Sequence, residues 1–181
     1  LFSQESEHLV RDRFAIEVNL RRAIEQHELQ LHFQPQVPCV NPETCVAVEA
    51  LLRWSSAKLG PVPPDRFIPV AEATGLIGPL GAWVLEEACR TARRWASVGR
   101  PVRMAVNIAG DQFSRRDFVS RIDALIAETG LAPELLELEL TESSILRDGE
   151  QCLENMHELR RLGVRLAIDD FGTGYSSLSY L

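Results

Sequence analysis

Short aliphatic segments with a two-residue period alternate with longer segments of helical period along most of the 181-residue chain. The strand-like segments are Leu29–Val37, Thr44–Trp54, Val102–Ile108, Leu135–Thr141 and Val164–Asp169. The helical segments are Asp65–Thr74, Pro79–Val98, Asp117–Thr129 and Arg147–Leu162, each followed by a glycine. This order is typical of parallel βαβ units, so the sequence predicts an α/β fold with a parallel sheet.

The last four of these strand segments share one arrangement of side chains. Alternate residues of a strand point to opposite faces, and here one face is aliphatic while the other carries small or charged residues. The aliphatic positions are Val46, Val48, Ala50; Val102, Met104, Val106, Ile108; Leu136, Leu138, Leu140; and Val164, Leu166, Ile168. We expect these faces to pack under the helices, and the opposite faces to line the interior of a barrel.

Polar residues recur on the interior faces near the ends of these strands. They are Glu49, Asn107, Glu139 and Asp169, with Asp170 next in the chain. Each alone is compatible with a solvated strand end, and the aspartate pair with a polar turn in which Ser176 or Ser177 caps a helix. Their agreement in phase and position favours one shared site at the edge where barrel enzymes carry their active sites.

The donor types of this predicted site are carboxylates and one amide oxygen. Such hard oxygen ligands suit Mg²⁺ or Mn²⁺ rather than zinc. Four carboxylates exceed what one magnesium ion usually takes, so the set predicts two ions bridged by an aspartate. A site of this kind binds a phosphodiester and activates water for in-line attack. Deeper on the same faces, Arg103, Glu137 and Arg165 predict a structural ion-pair cluster.

The composition limits the classes of partner. A net charge of -7 argues against a protein that binds nucleic-acid polymers. No apolar run approaches the roughly 18 residues of a membrane helix, so we expect a cytoplasmic domain. The cysteines Cys39, Cys45, Cys89 and Cys152 show no paired spacing, which predicts buried free thiols in a reducing compartment.

The first segment differs from the rest of the chain. Residues 1–16 are mostly polar and read as a helix that leads into Leu20, Ala23 and Ile24. We interpret 1–16 as a linker helix from an upstream domain and 17–181 as the barrel domain. Because the chain begins with Leu1, we expect it to be part of a longer polypeptide, which could be membrane-anchored through an upstream segment.

Several motifs resemble those of a known family. Val48-Glu49-Ala50-Leu51-Leu52-Arg53-Trp54 resembles the signature that gives the EAL domain family its name. Further similar segments are Gln34–Val37, Phe67–Gly75, Asn107–Ala109, Glu139–Glu142 and Asp169–Leu178. The resemblance covers about residues 17–181. It implies a modified TIM (β/α) barrel whose first strand is antiparallel, with only about the first five strands in this chain. It also implies hydrolysis of cyclic di-GMP to linear pGpG with two Mg²⁺ or Mn²⁺ ions.

The resemblance assigns roles to individual positions. It implies metal ligation by Glu49, Asn107, Glu139, Asp169 and Asp170, with Glu49, Asp169 and Asp170 also catalytic. It implies substrate contacts by Gln34, Leu51 and Arg53, the last to a phosphate. Glu142 would anchor the glycine loop that contains Gly172, Thr173 and Gly174. The region around Phe171–Ser177 would contact the second subunit of a homodimer, and a sensory or GGDEF-type domain would precede the domain in the same polypeptide.

The sequence departs from the family pattern in two ways. Ala109 stands where a serine or similar polar residue is common, a change of little consequence because Asn107 is the predicted ligand. The family also continues for roughly another third beyond Leu181, with a lysine, a glutamate and a glutamine that we expect catalysis to need. We therefore expect the 1–181 chain alone to be inactive, with an exposed sheet edge that is prone to association.

Two other functions compete with the phosphodiesterase. A catalytically silent EAL domain would bind cyclic di-GMP as a receptor or act as a regulatory interaction module. An enolase-type magnesium barrel would need a lysine or histidine base at a strand end, and these five strands show none. Gly172-Thr173-Gly174 does not match the dinucleotide-binding motif G-x-G-x-x-G, because Ser177 occupies the position of its third glycine.

Overall fold

The computed structural model describes residues 2–39, 45–141 and 149–169, with side chains from Val10 onward. The helices are α1 (Phe2–Ala23), α2 (Pro64–Ala73), α3 (Ile77–Ser97), α4 (Gly110–Phe113), α5 (Phe118–Thr129) and α6 (Gly149–Leu162). The strands are β1 (Leu29–Gln36), β2 (Ala47–Ser56), β3 (Gly60–Val62), β4 (Arg103–Asn107), β5 (Leu136–Thr141) and β6 (Arg165–Asp169). A 3-10 turn, Pro133–Leu135, precedes β5.

The strands of the described residues form one mixed sheet in the order β1-β2-β4-β5-β6, with β3 also paired to β2. The β2–β4, β4–β5 and β5–β6 pairs are parallel, which confirms the predicted βαβ units. Backbone hydrogen bonds join Val46 to Gln36 and Ser55 to Glu28 in opposite chain order, as in antiparallel strands. The first strand is therefore antiparallel, as the resemblance implies.

The chain divides into two compact units. The first comprises Leu1–His32 and Leu51–Val84. Its buried cluster is built from one face of α1 together with α2, the start of α3 and nearby strand residues. Within it, the Trp54 and Phe67 rings meet edge to face with centroids 5.6 Å apart. The Glu28 carboxylate accepts hydrogen bonds from Trp54 Nε1 (3.1 Å) and the Ala57 amide (3.0 Å), which fastens the end of β2.

The second unit comprises Phe33–Ala50 and Leu85–Leu181 and contains the parallel strand pairs. The aliphatic faces of β4 and β5 are buried, as the alternation predicts: Met104, Val106, Leu136, Leu138 and Leu140. Asn155 of α6 is buried and donates to the carbonyl oxygens of Phe113 (2.6 Å) and Arg115 (3.1 Å). This side chain fastens α6 to the end of α4 and to the residues that follow it.

The element bounds agree closely with the sequence-based expectations, and the additions are β3, α4 and the 3-10 turn. Strand β3 lies within the segment 55–64, whose proline and glycine content predicts a loop, and it forms because Trp54–Ser56 of β2 supply antiparallel partners. The described residues thus contain six strands rather than five. Helix α1 confirms the predicted helical lead-in and runs without a break through Ala23. None of the described helices is both long and apolar enough to cross a membrane.

Two expectations about side chains need correction. All four cysteines are free, but only Cys89 and Cys152 are buried, whereas Cys39 and Cys45 are exposed because they flank the connection between β1 and β2. Burial raises the pKa of the Cys89 thiol to about 12. Two aliphatic residues expected to be covered, Val46 and Ile168, are exposed.

Only part of the predicted ion-pair cluster forms. Arg103 Nε lies 3.2 Å from Glu137 Oε2, and both side chains are largely buried. Arg165 stands opposite Glu137 in the β5–β6 register but is exposed, and no ion pair joins it to Glu137 in the described part of the chain. The two-residue pair is confirmed, while the three-residue cluster is not.

Candidate metal and phosphodiester site

Parallel pairing brings the predicted site residues of the second unit to one region of the sheet. Asn107, the last residue of β4, is the register partner of Glu139 in β5. Glu49 of β2 pairs with Ala105, two residues before Asn107, and therefore on the same face. Asp169, the last residue of β6, is the register partner of Thr141. Four residues from four strands thus share the face that sequence alternation assigned to the interior.

A direct contact joins two of these residues. The amide Nδ2 of Asn107 donates a 2.7 Å hydrogen bond to Glu49 Oε1. Asn107 is exposed and Glu49 is half-buried, so the pair lies at the accessible end of the strands. Because the nitrogen is directed towards Glu49, the carbonyl oxygen remains the atom with which this amide would bind a cation.

The neighbouring carboxylates of the site act on the Glu139 carboxyl. Desolvation by partial burial, followed by the negative charges of Glu49 and Asp169, raises the pKa of the Glu139 carboxyl to about 7. Glu137 adds to the rise, and a hydrogen bond from the Gln36 side chain opposes it. The carboxylates are therefore close enough to repel one another, which is the electrostatic condition that a bound cation would relieve.

Gln36 is a site residue that the sequence-based reasoning missed. It lies in β1, which β2 and β4 separate from β5, so a flat sheet would place the two strands about 14 Å apart. The Gln36 side chain nevertheless lies near enough to Glu139 to lower the pKa of that carboxyl. Gln36 has the same phase as Gln34 in β1, and that alternation is the signal that could have indicated it.

The oxygen atoms that the described site residues offer are the type of ligand that a hard divalent cation prefers. It contains three carboxylates and an amide oxygen, with no thiolate or imidazole among them. In the described part of the chain, however, no three acidic, cysteine or histidine side chains are grouped closely enough to hold a metal ion. Metal ligation by Glu49, Asn107, Glu139 and Asp169 therefore stays a prediction that the geometry supports by proximity and charge.

Other predicted site residues have different positions. Gln34 lies in β1 within the second unit and is exposed. Leu51 and Arg53 follow Glu49 at alternate positions of β2, and both belong to the first unit. Arg53 donates a 2.9 Å hydrogen bond to the carbonyl of Leu52. The predicted positions Asp170, Glu142, Gly172, Thr173 and Gly174, and the loop 171–177, lie outside the described residues.

Comparisons with known proteins identify the family of this chain. The EAL domain family model matches residues 17–181. The chain belongs to the EAL domain family. Among curated relatives of this EAL domain, the bifunctional diguanylate cyclase/cyclic di-GMP phosphodiesterase MucR of Pseudomonas aeruginosa is 44% identical over 164 residues, covering 90% of this chain and 24% of that protein. The cyclic di-GMP phosphodiesterase PdeR of Escherichia coli K12 is 35% identical over 181 residues, covering 100% of this chain and 27% of that protein.

Solved structures support the same family. A structure described as the PaMucR phosphodiesterase in complex with c-di-GMP is similar with a TM-score of 0.87 and 42% identity, covering 92% of this EAL domain chain and 67% of that chain. The EAL domain chain spans only about a quarter of the length of the two curated relatives named above. The fold of an EAL domain is therefore established for the described residues, with part of the barrel represented.

Proposed function

We propose that the domain containing this chain hydrolyses cyclic di-GMP to linear pGpG. The observation that carries the proposal is the grouping of Glu49, Asn107, Glu139 and Asp169 on one face of the sheet. Family relatives named as cyclic di-GMP phosphodiesterases, and one solved in complex with c-di-GMP, support the choice of substrate. The proposal concerns the complete domain, since this chain covers 67% of that solved chain.

The residues that would hold two Mg²⁺ or Mn²⁺ ions are Glu49, Asn107, Glu139, Asp169 and Asp170. When bound, such ions would supply an activated water and neutralise charge on the phosphodiester. The chain itself holds the carboxylates together although their negative charges repel one another. The Asn107 amide donates a hydrogen bond to Glu49, and the Gln36 side chain stabilises the charged form of Glu139.

Substrate contacts are proposed for Gln34, Leu51 and Arg53. A guanidinium is suited to a phosphate because it presents parallel donors to two oxygens. Dimerisation through the loop 171–177 and a GGDEF-type or sensory upstream domain are likewise proposals. MucR, a bifunctional diguanylate cyclase/phosphodiesterase by name, offers a precedent for the second of these.

The test is turnover of cyclic di-GMP by the polypeptide that contains the complete domain. Product is separated chromatographically after incubation with Mg²⁺ or Mn²⁺, and then after removal of the metal with EDTA. Linear pGpG should appear only with metal present. Glu49→Ala should abolish turnover, because it removes one proposed ligand and the acceptor of the Asn107 hydrogen bond.

The matched control is Glu72→Ala, which removes an exposed glutamate of α2 and should leave turnover unchanged. Binding of cyclic di-GMP without turnover by the complete domain, measured by calorimetry, would contradict the phosphodiesterase. That result would favour the receptor or regulatory module instead.

A further inference from the structure

Helix α1 has two apolar faces rather than one. On one face, Ile16, Leu20 and Ala23 are buried in the core of the first unit. On the opposite face, Val10 and Phe14 are 67% and 66% exposed, and Val18 is 36% exposed. Their spacing of four residues places these three side chains in one stripe along the helix. An uncovered apolar stripe of this kind indicates an interaction surface.

The stripe is symmetric about Phe14. Val10 precedes Phe14 by four residues and Val18 follows it by four. A two-fold axis through Phe14, perpendicular to an antiparallel helix pair, would set Phe14 against Phe14 and Val10 against Val18 of the second copy. A surface that matches itself in this way fits a second copy of the same chain.

The charges beside the stripe favour the antiparallel orientation. Arg13 and Glu17 lie on the same flank, and an antiparallel two-fold pair brings identical flanks together. Glu17 would then lie about 3 Å along the axis from the level of the second copy's Arg13. A parallel pair would instead bring Arg21, which continues the stripe, against Arg21 of the second copy, and like charges repel.

We propose that two copies of this chain associate through the Val10–Phe14–Val18 stripe of α1 as an antiparallel helix pair. The proposal rests on the stripe and its charges and does not depend on the proposed phosphodiesterase activity. The α1 pair is a contact separate from the dimer contact proposed for the loop 171–177. With three apolar side chains per copy, the interface is small, so the pair forms weakly and depends on protein concentration. Glu17 already pairs with Arg21 of its own helix at 3.6 Å, an exposed contact that can be exchanged readily.

The first experiment measures the mass of the polypeptide that contains the complete domain by sedimentation velocity over a range of concentrations, because the sheet edge of the 1–181 chain is itself expected to associate. The wild-type chain should shift from monomer to dimer as concentration rises. Phe14→Glu should weaken association by at least about tenfold, because two phenyl rings leave the interface and two like charges replace them. Val18→Glu should act in the same direction. Circular dichroism checks that each variant keeps its helix content.

Val98→Glu is the matched control. Val98 is an apolar residue of the second unit that is 71% exposed, so the change adds the same charge at a surface outside α1. Its association should equal that of the wild-type chain. A wild-type chain that stays monomeric, or a Phe14→Glu chain that dimerises like the wild type, would overturn the proposal. The stripe would then belong to another segment of the polypeptide.

The second experiment tests orientation by mixing two charge-reversed chains. Arg13→Glu and Glu17→Arg should each weaken the homodimer, because each places like charges on the facing flanks. An equimolar mixture should recover dimer as the heterodimer, identified by native mass spectrometry, since every flank contact then joins opposite charges. Ion pairs within one helix cannot explain recovery on mixing. Weakened homodimers without recovery in the mixture would overturn the antiparallel arrangement.

Discussion

The side-chain nitrogen of Asn107 lies 2.7 Å from Glu49 Oε1, although 58 residues separate them in the chain. The contact exists because β2 and β4 are parallel neighbours and both residues project from the same face. It holds an acidic side chain beside an amide oxygen, and the register partner of Asn107 is the carboxylate of Glu139. Long-range strand pairing therefore brings together residues that lie in separate local motifs.

Asn107→Ala should lower the turnover of cyclic di-GMP by the complete domain at least about tenfold, and should raise the Mg²⁺ concentration needed for half-maximal activity. The change removes a proposed ligand and frees the Glu49 carboxylate. Steady-state kinetics with metal titration measures both effects. Asn19→Ala, which removes an amide that donates to Ala15 within α1, is the control and should change neither quantity.

Glu139 should make the stability of the metal-free chain depend on pH. Its folded-state pKa is raised from 4.5 to about 7, so the folded chain binds this proton more tightly than the unfolded chain. Its favourable contribution is complete below the unfolded pKa and is lost as the pH rises through about 7. The free energy of unfolding in EDTA should therefore fall between pH 5 and pH 8, where urea titrations can follow it.

Glu139→Gln should flatten that pH dependence, because the amide does not titrate, and should make the metal-free chain more stable than the wild type at pH 8. Glu72→Gln, at an exposed position, should leave the slope unchanged. An identical slope for wild type and Glu139→Gln would contradict the assignment of the pH dependence to this carboxyl.

Asn155→Ala should reduce the free energy of unfolding by about 2 kcal/mol. The buried amide donates to the carbonyl oxygens of Phe113 and Arg115, and its loss leaves these acceptors without that donor. Urea unfolding followed by circular dichroism measures the change. Asn19→Ala should cost much less, since that side chain is only half-buried and contacts its own helix; equal losses would show that Asn155 does not fasten α6.

Leu20→Ala should destabilise the chain by about 2–5 kcal/mol, whereas Phe14→Ala on the same helix should change the stability of the monomer little. Leu20 is fully buried in the core of the first unit, and Phe14 is exposed. Unfolding measured at low protein concentration separates monomer stability from association. Similar losses in both variants would contradict the burial of only one face of α1.

The assignment of residues 1–16 as a linker stays a prediction, but the structure shows that this segment is continuous with the first unit. Helix α1 runs from Phe2 to Ala23 without a break at residue 17, where the family match begins. Ile16 is buried beside Leu20 in the core. The end of the predicted segment therefore also packs as part of the first unit.

Much of the fold could be predicted because the relevant signals are local. The phase of Leu136, Leu138 and Leu140 within one strand predicts a buried face, and the structure confirms it. Strand β3 could not be predicted, because its three residues depend on partners in β2 rather than on their own propensity. Arg165 failed to join the Arg103–Glu137 pair although its phase is correct, since phase does not determine exposure at the end of a sheet.

The sequence by itself determined the βαβ order, the face on which each site residue lies and the family to which its motifs point. Those properties follow from the alternation of side chains along a strand and from the identity of short segments. Only the tertiary structure decided that Asn107 contacts Glu49, that Gln36 reaches Glu139 and that the Glu139 pKa is raised. Contact and charge interaction depend on distance and burial, which strand order and register set and which no local pattern encodes.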